Sequence, residues 1–318
     1  MKETTNPELS PLLPASLQPG DTIGLFCPAG PVRDVDRIEV GIGVLRDMGF
    51  RVRVLDELNR QSDSSIYLAA SDTTRVEQLH GLWDDEEIKA LMAVRGGYGC
   101  LRMLGQIDFS RFRKNPKWLI GFSDLTVLLA SNFIKAGLIG LHGPVVSSLA
   151  GTDTPSKKRF FSLLTGSFQP YALENSVTVL RSGTCRGRIV VGNLTTICHL
   201  IGTPWEPDLT GGILLIEDTG EPMYRVDRML TQMTLAGRLD KLAGLVLGTF
   251  DTGVSTAQDN LLQDPLFERV RELTAHTDYP IWGNFPSGHL SENQAIPYGM
   301  EATMASRTSV LTLHPDAE

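Results

Sequence analysis

Residues 117–137 read KWLIGFSDLTVLLASNFIKAG, and the fold turns on what Ser123 separates. An apolar run, Trp118 to Ile120, stops at Gly121 and Phe122; after Ser123 and Asp124 the apolar positions resume at helical spacing. The pattern predicts a buried strand, a tight turn and a helix over about 124–135. A serine at such a junction has two readings. As an N-cap it satisfies a backbone N–H of the first helical turn, and local composition favours that role. As a nucleophile it is displayed on a strand-to-helix turn with the helix N-terminus behind it, although GFSD is not G-x-S-x-G.

The same alternation runs upstream. DTIGLFCPAG (21–30) is a short apolar strand ending in a Pro/Gly loop. Asp34 caps a helix with Val35, Ile38, Ile42 and Leu45 at helical spacing, closed by Gly49. RVRVL (51–55) alternates as a strand, 71–84 suits a helix, and IKALMAV (88–94) is apolar and ends in RGGYG. Strands separated by helices predict an α/β, Rossmann-like doubly wound parallel sheet. In such sheets the loops at the carboxyl ends of the strands hold the ligand, so CPAG, RGGYG and GFSD fall on one edge. Residues 1–150 are therefore read as an N-terminal α/β domain and 151–184 as an interdomain connection. Residues 185–318 are read as a β-rich, barrel-like C-terminal domain, built on GRIVVGN, GGILLIED, KLAGLVLGTF and SVLTLH, with helices near 222–236 and 262–275. The polar run 251–260 is expected to be a surface loop.

At 318 residues two domains are the prior expectation, and 42% hydrophobic with 21% charged residues is ordinary for a globular protein. A net charge of −8 argues against non-specific nucleic-acid or anionic-membrane binding. The N-terminus is polar and Pro-rich without an apolar signal-peptide core, and no window has the apolar length of a membrane span. The four cysteines show neither CxxC pairing nor zinc-like spacing with histidine. The expectation is a cytoplasmic protein that needs no metal or other cofactor.

A serine nucleophile needs a base. Of six histidines, His80 and His276 lie in helical patterns, His314 near the C-terminus and His199 in an apolar stretch, where surface or core roles suffice. His142 and His289 lie in Gly/Pro-containing loops, where functional residues concentrate. An orienting acid is available where the strand GGILLIED ends in Glu217 and Asp218, though solvated strand-end carboxylates explain either one alone. RGGYG is weak as a phosphate cradle and adequate as a turn. It is attractive as an oxyanion donor, because consecutive glycines let bare amides approach a reacting oxygen.

RGGYG, GFSD, LHGP, GNLTT, GTPWEPDLTGGILLIEDTGEPMYRVDRMLTQ and GHLSENQAIPYG occur in one order over nearly the whole chain. Together they closely resemble the LD-carboxypeptidase family of serine peptidases, best known for muramoyltetrapeptide carboxypeptidase activity. The resemblance runs from about residue 20 to 305. It implies a catalytic triad of Ser123, Glu217 and His289, and an oxyanion hole from the backbone amides of Asp124 and Gly97, with Gly96 close behind. One departure is Leu290, where the more usual family form has a glycine after the histidine. The resemblance further implies a homodimer that removes C-terminal D-alanine from murein tetrapeptides during cell-wall recycling.

Candidates for binding that small peptide are Arg95, Tyr98 and Arg225. Arg228 and Trp205 are further possibilities, and bidentate arginine is the natural reader of a terminal carboxylate. Two alternatives stand beside this reading. One is a hydrolase of the same fold acting on a peptide–nucleotide such as microcin C. The other is a non-catalytic module that binds a small anionic ligand and uses Ser123 only as a cap.

Overall fold

The computed structural model describes residues 9–55, 67–174, 176–252 and 262–316. The part of the 251–260 run that was expected to loop over the surface lies outside them from residue 253 onward.

The first half alternates as the pattern predicts. Strand β1 (Thr22–Phe26) is buried along its whole length and leads to helix α1 (Val35–Asp47), whose N-cap Asp34 accepts the Arg37 amide. Strand β2 (Arg51–Val54), helix α2 (Asp72–Asp84) and strand β3 (Ile88–Ala93) follow. Two short helices, α3 (Cys100–Met103) and α4 (Ser110–Lys114), then precede strand β4 (Trp118–Gly121). A 3₁₀ turn over Ser123–Leu125 leads into helix α5 (Thr126–Ala136), and strand β5 (Gly140–His142) closes the series. All five strands are parallel in the order β2-β1-β3-β4-β5. This is a doubly wound sheet whose order reverses between β1 and β3, and ligands bind at such reversals. The loops 27–30 and 95–99 leave the sheet at that point, and the Ser123 turn lies one strand over.

Helices α6 (Val146–Leu149) and α7 (Thr154–Leu164) lead into the second half. Strand β6 (Tyr171–Ala172) and strand β7 (Thr178–Arg181) come next, then strand β8 (Thr184–Asn193) and helix α8 (Leu194–Leu200). Strand β9 (Ile213–Thr219), helix α9 (Met223–Leu235), strand β10 (Gly244–Asp251) and helix α10 (Gln263–Leu273) follow. The chain ends with strands β11 (Ile281–Gly283), β12 (Ile296–Tyr298), β13 (Glu301–Ala305) and β14 (Val310–His314). Eight of these form one mixed sheet in the order β6-β14-β13-β8-β9-β10-β11-β7. Its centre, β8 to β11, is parallel and buried, and antiparallel strands flank it. The segment read as a connection, 151–184, supplies both outer strands, β6 and β7.

Strand β12 does not join that sheet. It pairs antiparallel with β5, Ile296 opposite His142, and becomes the sixth strand of the N-terminal sheet. Three residues were too short a run to announce a strand in the sequence. The two halves are further joined where α5 begins: Thr126 Oγ1 accepts the Asn193 amide at 3.0 Å. A side chain at Gly192 would strike Thr126 at 2.2 Å, so a glycine is required for that approach.

Candidate active site

Ser123 is not a cap. Its backbone has φ of 63°, in the left-handed region that non-glycine residues rarely occupy, and neither the turn nor α5 has a side-chain cap hydrogen bond. Such strain persists where surrounding packing imposes it, and it concentrates at functional sites. The imposing contacts are close. Gly121, at φ 154°, leaves no room for a side chain because a Cβ there would lie 2.3 Å from Leu125 Cδ2. A Cβ on Gly96 would lie 3.0 Å from Ser123 Cβ and 3.1 Å from its Oγ. The RGGYG loop therefore rests its bare backbone directly on the serine.

That loop is anchored on both sides. The Gly30 amide donates to Gly96 O at 3.4 Å, joining CPAG to RGGYG across the sheet reversal. The Asp124 carboxylate, buried against the sheet edge, accepts the Cys100 amide at 2.8 Å. Asp124 thus contributes twice: its side chain fixes the end of the glycine loop while its amide follows the serine. Burial, the leading cause, raises the Asp124 pKa against the lowering effect of the Cys100 hydrogen bonds.

The candidate acid and base come from the second half. Adjacent residues of a strand face opposite sides, which separates the two carboxylates at the end of β9. Asp218 turns to the start of α8, accepting Asn193 Nδ2 at 2.7 Å and the amide and hydroxyl of Thr195 at 2.9 and 2.7 Å. Glu217, fully buried, turns the other way and accepts His289 Nδ1 through Oε2 at 2.7 Å. Gly288, at φ 144°, makes this possible, since a Cβ there would lie 3.0 Å from Thr249 Cβ and 3.4 Å from Glu217 Oε2. The Gly288 amide is held by Asn293 Oδ1 at 3.2 Å.

Burial acts to lower the His289 pKa. The Glu217 charge and hydrogen bond, with smaller contributions from Asp218 and Asp251, outweigh it and hold the imidazole above the ordinary 6.5. The two halves meet through Phe122, whose ring lies 4.6 Å from the His289 ring and 6.1 Å from that of His142. His142 is fully buried at the end of β5, where desolvation pushes its pKa down to about 4 and keeps it neutral.

The other histidines have structural surroundings. His80 Nε2 accepts the Asp108 amide, His276 pairs with Asp240, and His314 meets Thr303 Oγ1. Of the binding candidates, Arg95 is half-buried beside the glycine loop, donates to Pro31 O at 2.8 Å and faces the like charge of Arg33. Tyr98 is 48% exposed at the tip of RGGYG, its ring 5.9 Å from that of Tyr67. Arg225 pairs with Glu221 at 3.2 Å and lies beside the Tyr224 ring, as does Arg228. Trp205 packs against the core.

Sequence reasoning missed Phe122, Asn293 and the anchoring carboxylate of Asp124. It also missed Arg75, a buried guanidinium beneath the glycine loops. The only sequence signal for Arg75 is a charged residue next to the apolar positions of α2.

The LD-carboxypeptidase N-terminal domain matches residues 23–143, and the LD-carboxypeptidase C-terminal domain matches residues 186–304. The chain is 34% identical over 304 residues to a probable murein peptide carboxypeptidase of Bacillus subtilis, covering 94% of this chain and 93% of that protein. It is 33% identical over 249 residues to the murein tetrapeptide carboxypeptidase of Pseudomonas aeruginosa, covering 75% and 79%. The fold superposes on the microcin C7 self-immunity protein MccF in complex with glutamyl sulfamoyl guanosine. That comparison gives a TM-score of 0.85, 25% identity and coverage of 96% and 99% of the two chains.

Proposed function

The chain belongs to the LD-carboxypeptidase family, and on that premise we propose that it removes the C-terminal D-alanine from murein tetrapeptides through a Ser123–His289–Glu217 triad. The observation that carries this reading is the His289–Glu217 hydrogen bond of 2.7 Å, with the imidazole against the ring of the residue preceding a left-handed serine.

His289 Nε2 takes the Ser123 proton while Glu217 fixes the tautomer through Nδ1 and stabilises the imidazolium. Ser123 Oγ attacks the carbonyl of the L-centre residue that precedes D-alanine. The amides of Gly97 and Asp124 receive the oxyanion as it forms. Collapse breaks the C–N bond, His289 protonates the departing amine, and the acyl group stays on Ser123. Water, deprotonated by His289, then hydrolyses the ester and restores the serine.

An exopeptidase also has to recognise a free carboxylate, and Arg95, half-buried, is the cation that opens the glycine loop. Its guanidinium is the group in that loop able to meet an anion, whatever the net charge of −8 over the whole chain. Tyr98 lines the same mouth, and Arg225 is a more remote contributor already engaged by Glu221. We place the reaction in the cytoplasm, in cell-wall recycling, and take the working unit to be a homodimer.

Incubating L-Ala-γ-D-Glu-meso-diaminopimelate-D-Ala with wild type and Ser123→Ala, with and without chelator, tests the assignment by mass spectrometry. Chelator-insensitive release of D-alanine that disappears in the variant is expected. Absence of release by folded wild type would overturn it and favour the second reading, hydrolysis of a peptide–nucleotide amide, which the likeness to MccF supports. A ligand that binds wild type and Ser123→Ala equally, with no turnover of either substrate, would point to a binding module.

A further inference from the structure

Arg75 lies on α2, outside the triad and its loops, and is 1% exposed. Burying a guanidinium is costly unless its donors are satisfied, and removing its partners leaves an uncompensated charge. Here two of the partners are backbone carbonyls of the candidate active-site loops. Nη1 donates both to Pro28 O, in the CPAG loop, and to Gly99 O, at 3.0 Å, in the RGGYG loop. Nε donates to Ala70 O at 3.2 Å, and Nη2 pairs with Asp72, which also receives Arg102 at 2.9 Å.

One nitrogen therefore joins the two loops that flank the sheet reversal. The direct backbone link between them is the 3.4 Å bond from Gly30 N to Gly96 O. Gly99, at φ 139°, leaves no room for a side chain: a Cβ there would lie 2.7 Å from Leu68 Cδ2 and 2.8 Å from Arg75 Nη1. Segment 97–100 is thus held at Gly99 O by Arg75 and at Cys100 N by Asp124, whose own amide belongs to the serine turn.

From this geometry we propose that Arg75 is a positioning residue for the oxyanion hole. It fixes the spacing between the Gly97 and Asp124 amides by tying both glycine loops to one buried cation. The proposal rests on the assignment of those amides as oxyanion donors. It accounts for a charged residue in the core of the nucleophile-bearing half, and for the last glycine of RGGYG. A lysine in its place keeps the charge but loses the planar fork that reaches three carbonyls and a carboxylate together.

The test compares Arg75→Lys with Leu79→Ala, a core truncation one turn along the same helix whose side chain donates no hydrogen bond to either loop. Release of D-alanine gives kcat and KM, and thermal melting gives the folded fraction. A fluorophosphonate gives a substrate-independent rate: Ser123 Oγ bonds to phosphorus as P–F breaks, the proton passes to His289, and the phosphoryl oxygen takes the oxyanion position.

Arg75→Lys is expected to lose about 10²-fold in kcat per folded molecule, the cost of a displaced oxyanion donor. Its labelling rate should fall in parallel, with KM and the acid limb of the pH profile unchanged. Leu79→Ala should melt earlier yet keep both rates. Gly99→Ala, which retains Arg75 but pushes the guanidinium away, should repeat the kinetic loss if the lysine variant does not fold. Full activity of folded Arg75→Lys, or an equal loss per folded molecule in Leu79→Ala, would overturn the proposal. Wild type that labels at Ser123 but releases no D-alanine would reject the substrate, and the ratio of labelling rates would then decide the clamp.

Discussion

The two halves bring different materials to the candidate site. The N-terminal sheet contributes backbone: bare glycines at 96 and 97, a serine at φ 63° and the amide that follows it, all set by loops leaving a parallel sheet. The C-terminal sheet contributes side chains: a fully buried carboxylate and an imidazole oriented on it. The division has a physical reason. An oxyanion needs donors that do not reorganise, and amides held by a sheet are rigid. Proton transfer needs a group whose affinity for the proton is tuned, and only a side chain in a chosen electrostatic setting provides that.

The comparison breaks first if the halves do not act as one unit. Ser123→Ala and His289→Ala should each lower kcat by on the order of 10⁴- to 10⁶-fold, and the double variant should be no worse than either. Multiplying losses in single-turnover assays would mean that the halves contribute independently. Glu217→Gln should cost on the order of 10⁴-fold, as losing the orienting acid does in related triads. It should also move the pH profile. A protonated imidazole cannot accept the serine proton, so kcat/KM rises as pH passes upward through the His289 pKa, which Glu217 holds above 6.5. Without that charge burial dominates, and the acid limb should shift to lower pH; an unmoved limb would remove Glu217 from the proton relay.

On the backbone side, Gly96→Ala should cost about 10²- to 10³-fold in kcat, because its methyl would press on the nucleophile and displace the neighbouring donor. Its pH profile should stay in place, the opposite signature to Glu217→Gln. Arg95→Gln should raise KM roughly 10- to 100-fold with kcat little changed, the worth of a charged hydrogen bond to a carboxylate. Amidating the substrate's C-terminus should erase that difference. The smallest effect belongs to Tyr98→Ala: a modest rise in KM, since an aromatic 48% exposed at a loop tip gives up little burial.

How much of this was legible follows the same division. The doubly wound half was readable because most of its strands are largely apolar runs and its longer helices keep their period, as β3 and α1 show. The proposed triad rests in the sequence on three motifs in one order that single out Ser123, Glu217 and His289. Periodicity could not reveal β12, a three-residue strand whose partner β5 lies about 150 positions earlier. Nor could it reveal Arg75, whose role depends on where two distant loops return. Of the pair Glu217 and Asp218, strand alternation shows that they face apart, but only the fold decides which one meets the imidazole.

The crossing of β12 also bears on how the protein is made. His289 is carried on the segment that leads into that strand, and the strand completes the edge of the sheet that displays the serine. During synthesis the nucleophile half emerges first with the β5 edge open, and an open edge is a site for pairing with other chains. The segment that closes that edge also carries His289 to Glu217. A chain halted before residue 289 would lack both the imidazole and the strand, and its open sheet edge would be free to pair with other chains.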